Sequence, residues 1–518
     1  MPGSIREPGS NVVAQYTVPI RGTWNSLAVH AIPSDALYDS RNVYLRKGWL
    51  RTRPGLSLYD STVFTSPILG GAMSVTPTEK RAIAITTGKV YERGENDTWL
   101  VSESTLTYAN SNNSRVDIAF IELADVLEKS YFGLIANEAY RLKAWNGIQH
   151  TTAQIVPASG SALIPFAKSV CIAGSRVVCL VAPHTIVWSK VLTIDNYPPL
   201  AYNKRAQTND MGICVRALGS LGFVLYKERS IHPARVGGTN DETAFVFGEP
   251  IYVEGPAGVY AVVHVTGSPS YSGHVYMTRN GRIGLFNGNN YPQWIADGLW
   301  LFLQEDIDPL YAHMIFGVYD HRLHTIVFMY PRKGDGGMLK GMVLLCMPYE
   351  GTDLQMGHAI PAAFKGVTAK ACSFACEVRW NQSIDRSLMF TNATNDCQSF
   401  TFDDGSTLDD GETYECMIQT PMSALPNAMH HDVTVQSFFQ RGSGYGSVLL
   451  EAVTSNGLET EQGTIVDGKG KYVNLETDPV QEHEGFGVMT RFFGLRYTWN
   501  SANTVRYAGA MVNGRSIA

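Results

Sequence analysis

No stretch of about 18 apolar residues occurs in this 518-residue chain, so no membrane-spanning helix is expected. The longest apolar run, Val177 to Trp188, is broken by Pro183 and His184. The opening MPGSIREPGSNVVAQ lacks the apolar centre of a signal peptide, which leads to the expectation of a soluble protein made in a cytosol. Cysteine is sparse: 8 residues spread from Cys171 to Cys416, without the dense spacing of a small disulfide scaffold, so free thiols are expected. There is no GxGxxG, no Walker loop and no His-Glu-x-x-His. Nor is there a basic excess. Lys and Arg number 41 against 47 Asp and Glu, a formal charge of -6, which argues against a protein that grips nucleic acid through phosphate contacts. Such a balance remains compatible with a wall along which nucleic acid slides.

What is plentiful points to strands. Gly numbers 49 and Pro 24, Tyr and Phe add 25 and 21, and hydrophobic residues reach 44% while charged ones stop at 17%. A short unit recurs: an apolar stretch, a Gly/Asn/Asp turn, then an alternating stretch that closes near an aromatic. It occupies Lys80 to Trp99, Tyr131 to Gly147, Ser175 to Lys190, Gly222 to Gly238 and Gly273 to Asn289, with weaker copies from His321 and Arg386. Period-two alternation with breakers at the reversals predicts hairpins. A spacing of about 45 to 50 residues, rising to about 65 at the last step, is that of propeller blades. The fold class read from these patterns is mainly β: a β-propeller-like domain of about six or seven blades over 67–421. A β-rich platform is expected from the N- and C-terminal segments, 1–66 and 422–518. Ile121 to Ser130 and Asp297 to Ile307 are the candidate short helices.

Several constellations invite chemistry. Asp403, Asp404, Asp409, Asp410, Glu412 and Glu415 could supply oxygens to calcium, but each Asp-Asp-Gly is also good turn chemistry, which is preferred. Cys372, Cys376, Cys397 and Cys416 lack the two tight pairs of a zinc ribbon and read as buried thiols. The pairs His321/His324 and His430/His431 read as surface or packing residues, and Gly442 to Gly446 as a flexible turn. Asp195, Glu228 and Asp320 are isolated acids with no sign of the carboxylate pairing a glycosidase needs. No enzyme activity, metal or cofactor is therefore expected. The segment RNVYLRKGWLRTRPGL, Arg41 to Leu56, is a cationic ribbon whose charges beside Pro and Gly suit a guarded edge strand.

This ribbon carries a resemblance. Asn42-Val43, Gly48, Leu50, Arg53, Pro54 and Gly55 resemble the N-terminal signature of the tail nozzle (tail tubular or tail hub) proteins of short-tailed bacteriophages. Leu218 to His232, with Lys227-Glu228-Arg229-Ser230, is similar to a second family segment, followed by Val275 to Gly288 and by Leu408 to Pro421, where the chain leaves the propeller. The resemblance implies a structural virion protein: a ring of about six copies below the portal and adaptor, extending the DNA ejection channel. Its implied partners are further copies of itself, the adaptor or connector, tail fibre or tailspike proteins, and double-stranded DNA that passes without sequence-specific binding. Its implied place is the virion tail, assembled in the host cytoplasm. The ribbon, with Arg51 and Arg53, is then expected to be an arm whose cations meet carboxylates of a neighbouring subunit. The alternatives are a receptor- or glycan-binding, or glycan-cleaving, propeller of a tail and a non-viral propeller scaffold.

Overall fold

The structure, a computed structural model, describes residues 11–516 apart from 26, 28–30, 76–79, 95–96, 104, 125–128, 220–221, 239, 266–271, 289–290, 349–360, 382–383, 393–396, 404, 425–429, 441–445, 456–463, 466–470, 475–481, 490–491 and 504. Among these, strands dominate and the helix Trp300–Asp306 is the one α-helix.

Consecutive hairpins build blades one to five within 70–103, 117–154, 167–204, 212–252 and 262–295. Blade six takes the strands Phe316–Asp320, Thr325–Pro331 and Leu339–Cys346 and the first part of the 20-residue strand Ala362–Asn381. That strand then changes partners. Up to Val367 it is the outer strand of blade six, and from Cys372 it is the inner strand of blade seven, pairing with Ile384–Thr391. Blade seven ends on Ser399–Asp403 and is completed from the other end of the chain by Gly55–Asp60. The described residues thus give seven blades, the upper of the two expected numbers.

Alternation explains the packing. Each blade has two apolar faces, and neighbouring blades cover one another: Trp145 and Ile83 share the core between blades one and two, and Leu180 and Leu225 that between three and four. Val275 and Phe328 do so between five and six, and Trp99 and Phe390 between one and seven. Burial of each large apolar side chain contributes about 1.5–3 kcal/mol.

The platform is a sandwich of two antiparallel sheets that mix both ends of the chain. One runs Val43–Arg46, Trp49–Thr52, Arg506–Ser516, His430–Phe439, Glu482–Met489, with Asn11–Tyr16 also on Arg506–Ser516. The other runs Asp39–Arg41, Glu415–Gln419, Phe492–Asn500, Ser447–Ser455. Their shared core, including Val43, Leu50, Val433, Leu450, Leu495 and Val512, continues without interruption into Phe316 and Phe364 of blade six.

Two expectations need correction. The described residues of Ile121 to Ser130 are strand and not helix: Asp117–Ala124 and Lys129–Asn137 pair in register from Asp117↔Ala136 to Ala124↔Lys129. Blade-to-blade burial of Ile121 and Leu134 overrides the weak local helix preference. The boundaries at 66 and 421 also shift, because Gly55–Asp60 belongs to blade seven while Glu415–Gln419 belongs to the platform. Strand pairing between distant segments is invisible to a reading by composition. The other helix candidate is a 3-10 turn, Asp297–Leu299, followed by the helix Trp300–Asp306.

Candidate functional site

The signature residues of the ribbon come together at the joint between propeller and platform. Val43–Arg46 and Trp49–Thr52 form a hairpin closed by Lys47 and Gly48, at φ 51° and 72°. Positive φ at both central residues is what a two-residue hairpin turn favours, and it accounts for Gly48. Val43 and Leu50 enter the core. Asn42 sits at φ 58°, a conformation Asn tolerates better than most residues. Pro54-Gly55 then carries the chain out of the platform into blade seven. A Cβ on Gly55 would lie 2.1 Å from the Leu408 carbonyl oxygen, so no larger residue fits.

The partner switch in Ala362–Asn381 interrupts the ladder, and backbone groups left buried there need partners. The joint supplies them. Asn42 Oδ1 accepts from Val367 N at 2.8 Å, Arg53 Nη2 donates to Val367 O at 3.1 Å, and Asp409 Oδ2 accepts from Ala369 N at 3.1 Å. Arg53, fully buried, also forks onto Asp409 (Nη1 to Oδ1 2.9 Å, Nη2 to Oδ2 2.6 Å). Its remaining N–H groups reach Asn42 Oδ1 at 3.0 Å and Pro54 O at 2.8 Å, and the guanidinium lies 3.8 Å from the Tyr414 ring centre. All five N–H groups are therefore used.

Arg53 accordingly cannot meet a neighbouring subunit, as the ribbon reading expected; it is consumed within its own chain. The signal missed in the sequence was its partner, Asp409, 356 positions away. Arg51 is half-buried on the same hairpin. Within the acidic turn, Asp409 is held by Arg53, Asp410 by Lys370 at 3.0 Å and Glu415 by Arg41 at 3.1 Å. These acids serve ion pairs, and the side chains of Asp403 and Asp404 lie outside the described residues.

The second signature segment turns the corner of blade four. Glu228 and Arg229 are exposed at its tip, whereas Lys227 and Ser230 point inward. Lys227 Nζ lies 2.8 Å from Asp210 Oδ1 and donates to Arg205 O and Thr208 Oγ1. Ser230 Oγ meets Asp210 Oδ2 at 3.1 Å and His232 Nε2 at 3.0 Å. Arg205 Nε donates to His232 Nδ1 at 3.2 Å, which requires an unprotonated Nδ1. Burial, then Arg205 and Lys227, pull the His232 pKa down to about 4, and burial pulls that of His274 in blade five down to about 3. The unfolded chain therefore binds more protons than the native one below pH 6.5. Stability contributed by the neutral rings is complete above about pH 6.5 and is lost as pH falls towards about 4. Urea midpoints measured between these limits should fall, and His232→Gln should flatten the slope; an unchanged slope would remove His232 from this account.

The propeller axis is closed by a polar network. Arg216 of blade four donates to Asp117 of blade two at 2.8 Å and to Val259 O beside blade five at 2.5 Å, and Ser169 of blade three donates to Asp117 at 2.5 Å. Tyr260, before blade five, donates across the axis to Val116 O at 2.7 Å and packs on Phe374 of blade seven, 4.7 Å between ring centres.

The remaining candidates stay apart. Asp195, Glu228 and Asp320 stand on blades three, four and six. Asp320 is buried, which pushes its pKa up, and caps its own turn through Arg322 N and Leu323 N while accepting from Ser387. Cys372 and Cys416 lie in one core, Cys376 and Cys397 in another; burial pushes Cys372, Cys376 and Cys416 up to about 12, so they are inert thiols. His321 lies 3.4 Å from Glu377, and His324 occupies the same turn. The side chains of His430 and His431, and the loop around Gly442 to Gly446, fall outside the described residues.

No family model and no curated protein matches the chain. Among solved structures, the WD40 domain from Toxoplasma gondii coronin is similar with TM-score 0.39 and 10% identity, covering 70% of this chain and 88% of that one. Chaetomium thermophilum Raptor is similar with TM-score 0.40 and 8% identity, covering 67% of this chain and 29% of that one. At these values the likeness carries no inference about what the chain does.

Proposed function

We propose that the chain is a structural virion protein of a short phage tail, a nozzle subunit that joins copies of itself in a ring below the portal and adaptor. The observation that carries this reading is the joint. The signature residues Asn42, Gly48, Leu50, Arg53, Pro54 and Gly55 all fall where the propeller is fastened to the platform, so the resemblance lies on residues that define the architecture. A second observation bears on the DNA path. Side chains bond to one another across the propeller axis, so on this reading a duplex of about 20 Å passes between copies and not through one. An acidic chain suits a wall that does not hold phosphates. Platform strands with a single neighbour among the described residues, such as Glu482–Met489, offer edges for pairing between copies. On this reading the protein is not an enzyme; it is carried in the tail, assembled in the host cytoplasm, and supports fibres or tailspikes.

Imaging the tail, or the purified chain mixed with its adaptor ring, is expected to show a closed ring of about six copies around an open bore. Single copies at a fibre tip, or shortening of host polysaccharide by the purified chain, would instead favour the receptor or glycan reading.

A further inference from the structure

Where the innermost strands begin, a pocket of about 350 Å³ lies on the propeller axis above the sealing network. Segments leading into five blades line it, among them Arg115, Lys168 and His313. Arg115 is only 8% exposed. Its Nη1 donates to Ser373 O at 2.7 Å and its Nη2 to Met314 O, while its Nε has no hydrogen-bond partner among the described residues. The acid two positions on, Asp117, is engaged by Arg216. Burial pulls the Arg115 pKa down to about 10, opposed by Tyr260 and by no carboxylate. The guanidinium also lies 5.7 Å from the Phe316 ring centre, and a buried cation answered by carbonyl dipoles and a ring face, with no carboxylate among the described residues, is electrostatically incomplete. Lys168 adds a second, half-buried cation, and the acid of the lining, Glu138, is exposed at the rim.

The pocket shares Ile213 and Ala257 with a cleft of about 650 Å³ that runs outward between blades four and five, past Tyr252, Val253 and Gly255. Pocket and cleft together form a continuous trough, the shape an extended chain segment fills; along the cleft Glu228 and Glu254 are balanced by Arg229 and Arg279, whereas at the axis Arg115 and Lys168 outweigh Glu138. We propose that this trough binds an acidic peptide segment, one carboxylate of which reaches Arg115 and Lys168 while the neighbouring residues lie between blades four and five. The proposal is independent of the nozzle reading, since any partner with such a segment meets its chemistry.

The test is fluorescence polarisation on the full chain with a labelled, amidated pentapeptide of Gly, Glu, Asp, Glu and Gly. Its Gln/Asn counterpart is the neutral control. The acidic peptide is expected to bind at least about tenfold more tightly than the neutral one and to weaken with added salt. Lys168→Glu, at a half-buried position outside the sealing network, should reduce affinity at least about tenfold with an unchanged urea midpoint. Arg115→Gln should do the same if it folds, and Lys168→Glu decides the matter if it does not. Equal binding of the two peptides, or no effect of Lys168→Glu, overturns the site. Competition by citrate or inorganic phosphate as strong as that of the peptide would reveal a small-anion site and overturn the peptide assignment.

Discussion

Arg53→Ala is expected to lower the unfolding free energy by about 3–5 kcal/mol, the range for stranding one partner of a buried ion pair. The change leaves Asp409 fully buried without its cation and strips Val367 O and Pro54 O of a donor. Lysine is no substitute, because one ammonium cannot place five donors around Asn42, Pro54, Val367 and Asp409. Removing both charges is a different matter. In Arg53→Met with Asp409→Leu no charge is buried, so most of the loss should be recovered, and the double-mutant cycle should show coupling of about 2–3 kcal/mol. Urea unfolding followed by intrinsic fluorescence reads Arg53→Ala, the double variant and the two single variants that complete its cycle. A loss below about 1 kcal/mol for Arg53→Ala would mean that water or a neighbour reaches Asp409 and that the joint is not the fastening described.

The contrast between this joint and the blades marks what the sequence carried. The blades were legible because their information is local: in Gly273–Met277 and Ile283–Phe286, alternation and the turn between them are set within a few residues. The joint was not, because it is made by residues such as Asn42, Arg53, Val367 and Asp409 that are remote in the chain. A cationic ribbon looks the same whether its charges face solvent, a second subunit or a buried carboxylate. Asn42, Arg53 and Gly55, which carry the resemblance, meet at this joint, and the contact with a neighbouring subunit expected of Arg53 was wrong because burial cannot be read from charge. The same holds for Lys227 and Ser230, which the motif selects and the structure spends on an internal network with Asp210 and His232, leaving Glu228 and Arg229 outside. Of the axial pocket nothing was visible beforehand, since Arg115, Lys168 and His313 share no spacing and meet only when the blades close into a circle.

That closure supplies the other large effect. Blade seven is completed by Gly55–Asp60, which lies against Ser399–Asp403, with Ser57 opposite Thr401 and their contact separated by 344 positions. The strand is further clasped by Tyr59, whose hydroxyl accepts from Trp380 Nε1 at 2.9 Å and whose ring lies 4.0 Å from the Arg93 guanidinium of blade one. Opening the propeller therefore requires releasing one strand, and a covalent bond there closes a loop that spans nearly the whole propeller. Ser57→Cys with Thr401→Cys, oxidised, should stabilise by up to about 5 kcal/mol on loop entropy. A comparison bond inside blade three, Thr185→Cys with Lys204→Cys, joins paired residues across a short loop and should give about 3 kcal/mol. Urea midpoints under oxidising and reducing conditions separate the cross-link from the substitutions themselves. The eight native cysteines are buried and free, so labelling under native conditions reports on the engineered pair. If the long-range bond stabilises no more than the one within blade three, the chain does not open at blade seven, and the strand Gly55–Asp60 is ordinary edge pairing and not the closure of the ring.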